Sequence, residues 1–349
     1  MKCGTRKYLQ MSAEDNIFEP GEVVADRYEI VGELGRGAYG VVYRATQLGI
    51  GRDVAIKTLL PDTPVGSEEH QRFEREALVI SRFSHPNVVT LHDYGEYEGV
   101  LFMVMEYIEG RDLGEVIEAQ APMEPQRVRA VACQLLDALQ FAHDHNVVHR
   151  DLKPANIKLL TSPSMETDED ELVKVLDFGI AKIVHGEEDD SALDTLTQTG
   201  TAMGTPQYMS PENITGDPVT HHADLYALGL LIYEMLSGEV AFEGDDPHEV
   251  MVAHLNERPP RLGDDPAHRP FVRAVDEALQ KQPDERVSTA RQFRKILDED
   301  APKTAPAASS QSDADDTSAK LIRPLFAVAV ASIIVVVLLV VMALQSGVV

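Results

Sequence analysis

The hydrophobic pattern changes its period partway along the chain, and that change predicts the architecture. Tyr28-Glu29-Ile30-Val31 reads as a strand running into a glycine-rich turn, and Gly40-Val41-Val42-Tyr43-Arg44-Ala45 as the strand leaving it. Val54-Ala55-Ile56-Lys57-Thr58-Leu59 predicts a third strand, Leu101 to Tyr107 a strongly apolar later one, and Val173-Lys174-Val175-Leu176 another. Glu68 to Phe83 has helical spacing instead, with Phe73, Ala77, Ile80 and Phe83 on one side. Beyond Gly110 helices take over. Pro125 to His143 is amphipathic, with Val128, Val131, Leu135, Leu139 and Ala142 marking one face, while Ala223 to Leu236 is apolar nearly all round and predicts a buried helix. A small strand-rich part followed by a larger helical one implies an α+β, two-lobed fold.

The ends carry a different texture. Residues 1–27 read as an irregular lead-in with a turn at Pro20-Gly21, and residues 298–324 as a flexible linker rich in Asp, Ala, Pro, Ser and Thr. Leu325 to Leu344 is apolar except for Ser332 and matches the roughly 20 residues that cross a bilayer as a helix. Lys320 and Arg323 flank its start, which predicts a single-pass membrane protein with a cytoplasmic N-terminal part and a short external tail, 345–349. A removed lipid-attachment signal is the alternative. So short a tail implies input through lateral association of cytoplasmic domains or membrane partners.

Charge and cysteine content narrow the partners. Among 349 residues, 58 Asp and Glu outweigh 31 Lys and Arg, a net charge of −27. Nucleic-acid binding, which needs a positive footprint, is excluded on that ground. Cys3 and Cys133 are too few and too far apart for a disulfide framework, which fits a reducing compartment. Lys2, Arg6 and Lys7 are followed by no apolar stretch, so no secretory signal is predicted.

Gly35-Arg36-Gly37-Ala38-Tyr39-Gly40 lies between two strands, where it serves either as an ordinary hairpin or as a flap whose backbone N–H groups cover phosphates. Lys57, ending the next strand, favours the second reading because its ammonium can reach the phosphates beneath. Such an ammonium needs an anionic partner. Glu76 on the following helix is the candidate, with Glu74 facing elsewhere. In His149-Arg150-Asp151-Leu152-Lys153-Pro154-Ala155-Asn156, Asp151 can accept a hydroxyl proton, Lys153 can neutralise a moving phosphoryl group and Asn156 can ligate a metal. Asp177-Phe178-Gly179 adds a second carboxylate for Mg²⁺. His143, His145 and His149 lack companion ligands and read as structural.

From Tyr28 to Leu297 the chain resembles the eukaryotic-like, bacterial-type serine/threonine protein kinases, the family whose motif set supplies a general template for phosphoryl transfer. The resemblance implies a kinase domain at 28–297, with an N-lobe at 28–107 and a C-lobe at 108–297. It implies ATP and Mg²⁺ as cofactors, with Mn²⁺ as a substitute, and protein substrates phosphorylated on Ser or Thr. Leu34, Gly35, Gly37, Gly40, Val42, Ala55 and Lys57 would enclose the nucleotide, Met105 would be the gatekeeper, and Glu106 to Ile108 the hinge meeting adenine. Asn156 and Asp177 would hold the metal. Asp151, Lys153, Lys57 and Glu76 would form the catalytic group, with Phe178, Glu212, Asp224 and Arg286 as structural supports. Where the family places an apolar residue beneath the adenine stands Lys158, whose stem is expected to pack while its amine snorkels out.

Arg150 before the catalytic Asp is a ready partner for an activation-segment phosphate. Thr195, Thr197, Thr199, Thr201 and Thr205 lie in that segment; Thr197 and Thr199 are the expected autophosphorylation sites, and Thr205 the residue joining Asp151 to the substrate hydroxyl. Two acidic runs, Glu166 with Asp168 to Glu171 and Glu187 to Asp190, read as solvated faces, with docking of basic substrates as the alternative. A pseudokinase scaffold or a small-molecule phosphotransferase are the rival readings. Lys57, Asp151 and Asp177 together argue against the first, and Ser210-Pro211-Glu212 with the threonine-rich segment argues against the second.

Overall fold

The computed structural model describes residues 16–37, 40–61, 63–160, 171–178, 205–263 and 266–299. The chain divides into units 1–301 and 302–349, and the described residues all belong to the first. Within it, β1 (Val23–Val24), β2 (Tyr28–Gly37), β3 (Gly40–Gln47), β4 (Arg52–Leu59), β5 (Leu91–Tyr97) and β6 (Val100–Glu106) build one antiparallel sheet in the order β1-β2-β3-β4-β6-β5. Alternation sends Val41, Tyr43 and Ala45 of β3, with Val54 and Ile56 of β4, into a core shared with Tyr28, Ile30, Phe102 and Val104.

That core starts earlier than Tyr28. Ile17 and Phe18 are buried, and their backbone N–H groups donate to the Tyr43 hydroxyl at 3.1 and 3.3 Å. Two adjacent apolar residues carry no period, so this docking left no pattern in the sequence.

Helix α1 (Glu68–Ile80) crosses the other face of the sheet. The Ser67 side chain caps it by accepting from His70 N, and Phe73, Glu76, Ala77 and Ile80 form its buried stripe. Phe83 is buried as the periodicity predicts, but in the turn after the helix.

The second lobe holds a small sheet, β7 (Arg111–Asp112), β8 (Ile157–Leu160) and β9 (Leu172–Val175), in that order. Around it lie α2 (Leu113–Gln120), α3 (Pro125–Asp144), α4 (Pro211–Thr215), α5 (His221–Ser237), α6 (Pro247–Asn256), α7 (Arg269–Ala278) and α8 (Ala290–Glu299). Helix α5 is buried from Ala223 to Tyr233, packed between α3 and α7, and stopped by Gly238 at φ +80°. Gly229 on α5 permits that packing, since a Cβ there would stand 2.9 Å from the Ala278 Cβ.

Among the described residues no helix is long and apolar enough to cross a membrane; Leu325 to Leu344 lies outside them.

Candidate functional site

The β2–β3 hairpin roofs a cleft of about 340 Å³, whose lining includes Gly35, Gly37, Gly40, Val42, Lys57 and Asp177. Its glycines divide in purpose. A Cβ at Gly40 would collide with the Thr58 carbonyl oxygen, so close approach of β3 to β4 requires glycine there. Gly35 has nothing within 4 Å of such a Cβ, and Gly37 only the Gly40 carbonyl at 3.9 Å. Those two leave bare backbone for a ligand to approach. Leu34 beside them is half exposed.

Lys57 enters the cleft from β4, where it pairs with Val42 of β3 and Met103 of β6. Its Nζ lies 2.7 Å from Glu76 Oε1 and 3.0 Å from Asp177 Oδ1. Of the two glutamates considered, Glu76 is the partner; it lies on the buried stripe of α1, whereas Glu74 is half exposed beside His70. Burial by itself disfavours the Lys57 ammonium, but Asp177 and Glu76 outweigh it and hold the pKa above the ordinary lysine value. Burial raises Glu76 against the pull of Lys57, while Lys57 beside it holds Asp177 below the usual carboxylate range.

The loop around Asp151 hangs from Asp224. That buried carboxylate accepts from His149 N at 2.8 Å and Arg150 N at 2.9 Å, and meets His143 Nε2 at 2.7 Å. Burial opposes its ionisation, yet the His143 bond and the neighbouring donors keep its pKa low. The anchoring holds Arg150 at φ +63°, and Asp177 sits at φ +35°; strain at non-glycine residues collects where a site dictates the backbone. Lys153 Nζ is 2.7 Å from Asp151 Oδ2, and Asn156 Nδ2 donates to Asp151 O and Oδ2 at 2.8 and 3.2 Å.

The three histidines have internal partners: His143 meets Asp224, His145 the Phe141 carbonyl, and His149 the Leu176 carbonyl. Burial lowers the pKa of His149, whose ring lies 4.7 Å from that of Phe178. Phe178 also meets Phe83 edge-on at 5.5 Å, which holds the Phe178 ring against the core.

Two residues before Lys57 on β4, Ala55 stands opposite Met105, which is buried, and Glu106 and Ile108 continue into the connection between lobes. The Lys158 side chain is 24% exposed, and its amine pairs with Asp112 Oδ1 at 2.9 Å because β7 and β8 set the two residues directly opposite.

Farther down, Arg286 grips Glu212 with two 2.7 Å bonds and is completely buried. Ser210 caps α4, and Thr205 precedes the turn Pro206–Tyr208. Thr195, Thr197, Thr199 and Thr201, with Gly179 and the run Glu187 to Asp190, lie outside the described residues. The run ending in Glu171 needs correction at that residue. Glu171 is buried and forms a forked pair with Arg127 at 2.8 and 2.9 Å, because α3 brings Arg127 against the start of β9. Gln134 and Asn87 extend this link to Val173, and no sequence signal marked either side chain or Arg127.

Helix α6 adds a pH-sensitive support. His254 is fully buried, shares a 2.9 Å bond between Nδ1 and the Tyr226 hydroxyl, and has its pKa pushed by burial to about 3. The unfolded chain binds a proton at His254 near the ordinary 6.5, whereas the folded chain does so only near 3. This contribution is therefore complete above the unfolded value and is lost as pH falls, by at most about 1.4 kcal/mol per pH unit. Urea titrations at about pH 7 and about pH 5 should show a smaller loss of stability for His254→Gln than for the parent; equal losses would contradict this.

A protein kinase domain model matches residues 28–299. The chain is 38% identical over 282 residues to the serine/threonine-protein kinase pkn3 of Myxococcus xanthus, covering 79% of this chain and 50% of that protein. It is also 38% identical over 280 residues to the serine/threonine-protein kinase PknB of Mycobacterium tuberculosis, covering 78% of this chain and 43% of that one. The chain thus spans half or less of the length of these curated relatives. The crystal structure of the Mycobacterium tuberculosis PknI kinase domain superposes with a TM-score of 0.60 at 27% identity, covering 81% of this chain and 100% of that one. A strand-rich lobe and a helical one, with Lys57 and Asp177 lining a cleft and Asp151 in the loop anchored by Asp224, agree with these matches: the chain belongs to the protein kinase family.

Proposed function

We propose that the chain transfers the γ-phosphoryl group of ATP to serine and threonine hydroxyls of proteins, with Mg²⁺, at a membrane surface. The observation that carries this reading is the double engagement of Lys57 by Glu76 and Asp177, beside a loop in which Lys153 and Asn156 orient Asp151. The Lys57 ammonium, held charged, is positioned for phosphate oxygens, and the absence of side chains at Gly35 and Gly37 lets the phosphates approach the hairpin closely. Asp151 takes the hydroxyl proton as the substrate oxygen bonds to the γ-phosphorus and the bond to the leaving ADP breaks. Lys153 neutralises charge as it passes.

The donor set suits a hard cation. Asp177 offers carboxylate oxygen, and Asn156 has its nitrogen committed to Asp151, which leaves the amide oxygen for a metal. Among the described residues no group of three or more His, Cys, Asp or Glu could hold a metal. Mg²⁺ held there by Asp177 and Asn156 would offset phosphate charge.

Full-length protein incubated with labelled ATP and Mg²⁺ should label itself, at Thr197 and Thr199, and a generic Ser/Thr peptide. Nucleotide binding without transfer would favour the scaffold reading, and transfer to a small molecule alone the phosphotransferase reading. Anchoring rests on Leu325 to Leu344. The full chain should sediment with vesicles after an alkaline wash, and a chain ending at Leu297 should not; identical behaviour would remove the membrane from this reading.

A further inference from the structure

Four charged side chains line one face of the small sheet and end at the connection between lobes. Asp112 on β7 stands opposite Lys158 on β8, and Lys158 stands opposite Lys174 on β9. Directly opposed residues of a sheet point to the same face, and like charges so placed repel. Each lysine is accordingly drawn to its own carboxylate: Lys158 to Asp112 at 2.9 Å, and Lys174 to Glu106 Oε1 at 2.6 Å. Glu106 is the last residue of β6, and the same oxygen accepts from Thr90 N at 2.8 Å. The Lys174 side chain is 10% exposed and also donates to the Val88 carbonyl at 3.4 Å.

The surroundings make this pair a rigid link. Val89 N donates to the Val175 carbonyl at 3.0 Å, Val175 N to the Asn87 carbonyl at 2.8 Å, and Asn87 Nδ2 to the Val173 carbonyl at 2.9 Å. Strand β9 is therefore bound to the segment leading into β5, and Lys174 adds the one charged tie from β9 to the start of the hinge among the described ion pairs. Three residues after Lys174 comes Asp177, which is bonded to Lys57. The purine end of the cleft and its phosphate end are thus joined through a single short strand.

We infer that Lys174 is a positioning residue for nucleotide binding, setting the hinge through Glu106 relative to the strand that delivers Asp177. The inference rests on the nucleotide reading above and extends it. An ammonium this buried requires its partner, and without it the Glu106 carboxylate is left to reorient the end of β6. The purine would then meet a hinge whose register against Asp177 is no longer fixed, while Asp151 and its neighbours stay as they are. The loss falls on nucleotide affinity rather than on the chemical step.

Steady-state kinetics on the full-length protein test this, with a melting curve for each variant. Lys174→Met should raise KM for ATP about tenfold and leave kcat within about twofold. Lys174→Arg should retain most of the parental KM, because it keeps the charge. The exchange Glu106→Lys with Lys174→Glu should bind ATP better than either single change. An unchanged KM in a folded Lys174→Met variant overturns the inference. So does a parallel fall of kcat and melting temperature that Lys174→Arg fails to rescue, since that marks a merely structural lysine. If the parent transfers no phosphate but binds MgADP, the same series read by MgADP affinity still decides the role of Lys174. A parent that binds no nucleotide overturns both the functional reading and this inference, whereas a bound nucleotide with unaltered variants overturns the inference alone.

Discussion

Asp151→Asn should lower the rate of phosphoryl transfer by about 10²–10⁴-fold with KM for ATP nearly unchanged, the range set by loss of a positioned proton acceptor. The substitution keeps the shape of the side chain but places an amide where Lys153 and Asn156 now meet carboxylate oxygen. The backbone of the loop is held separately, by Asp224 on α5, so the fold around it should stand. Asp177 and Lys57 are bonded to each other. Initial rates over a range of ATP and peptide concentrations separate the two constants. A variant retaining a tenth or more of the parental kcat would mean that Asp151 is not the proton acceptor.

Arg286→Met should cost about 3–5 kcal/mol of stability, the loss expected when one partner of a buried ion pair is removed. For a domain of this size that is a fall in melting temperature on the order of 10 °C. The guanidinium makes two bonds to Glu212 and further ones to the carbonyls of Gln280, His222 and Lys281, and stacks 4.8 Å over the Tyr226 ring. Removing it strands the Glu212 carboxylate, which is 3% exposed. Adding Glu212→Leu removes the stranded charge and should recover part of the loss, because the desolvation cost of the pair goes with it. Thermal melts of the single and double variants decide this, and a double variant less stable than Arg286→Met would contradict the account.

The site was legible in the sequence to the extent that its chemistry is local. Lys57 lies near the end of an apolar strand, Asp151 and Asn156 share one short loop, and Asp177 follows an apolar run, so each could be named from its neighbours. Even the choice of Glu76 over Glu74 followed from helical spacing, because Phe73 and Ala77 mark the buried side of α1. The acidic run ending in Glu171 was opaque for the opposite reason. Its partner Arg127 is 44 positions away, and nothing in either neighbourhood signals the other. Lys158 shows the same limit within a small sheet, since Asp112 reaches it only through the register of β7 on β8.

What the sequence by itself determined is the set of parts: the periods that separate a strand-rich lobe from a helical one, and the motifs that bring carboxylates, lysines and glycines to particular turns. Those depend on spacing and side-chain chemistry, which are properties of short segments. Only the tertiary structure decided that Lys158 pairs with Asp112 and Glu171 with Arg127, that Ile17 and Phe18 complete the first core, and that Lys174 ties the hinge to the strand before Asp177. Such choices depend on which distant segments approach within bonding distance, and on how strongly burial there demands a partner.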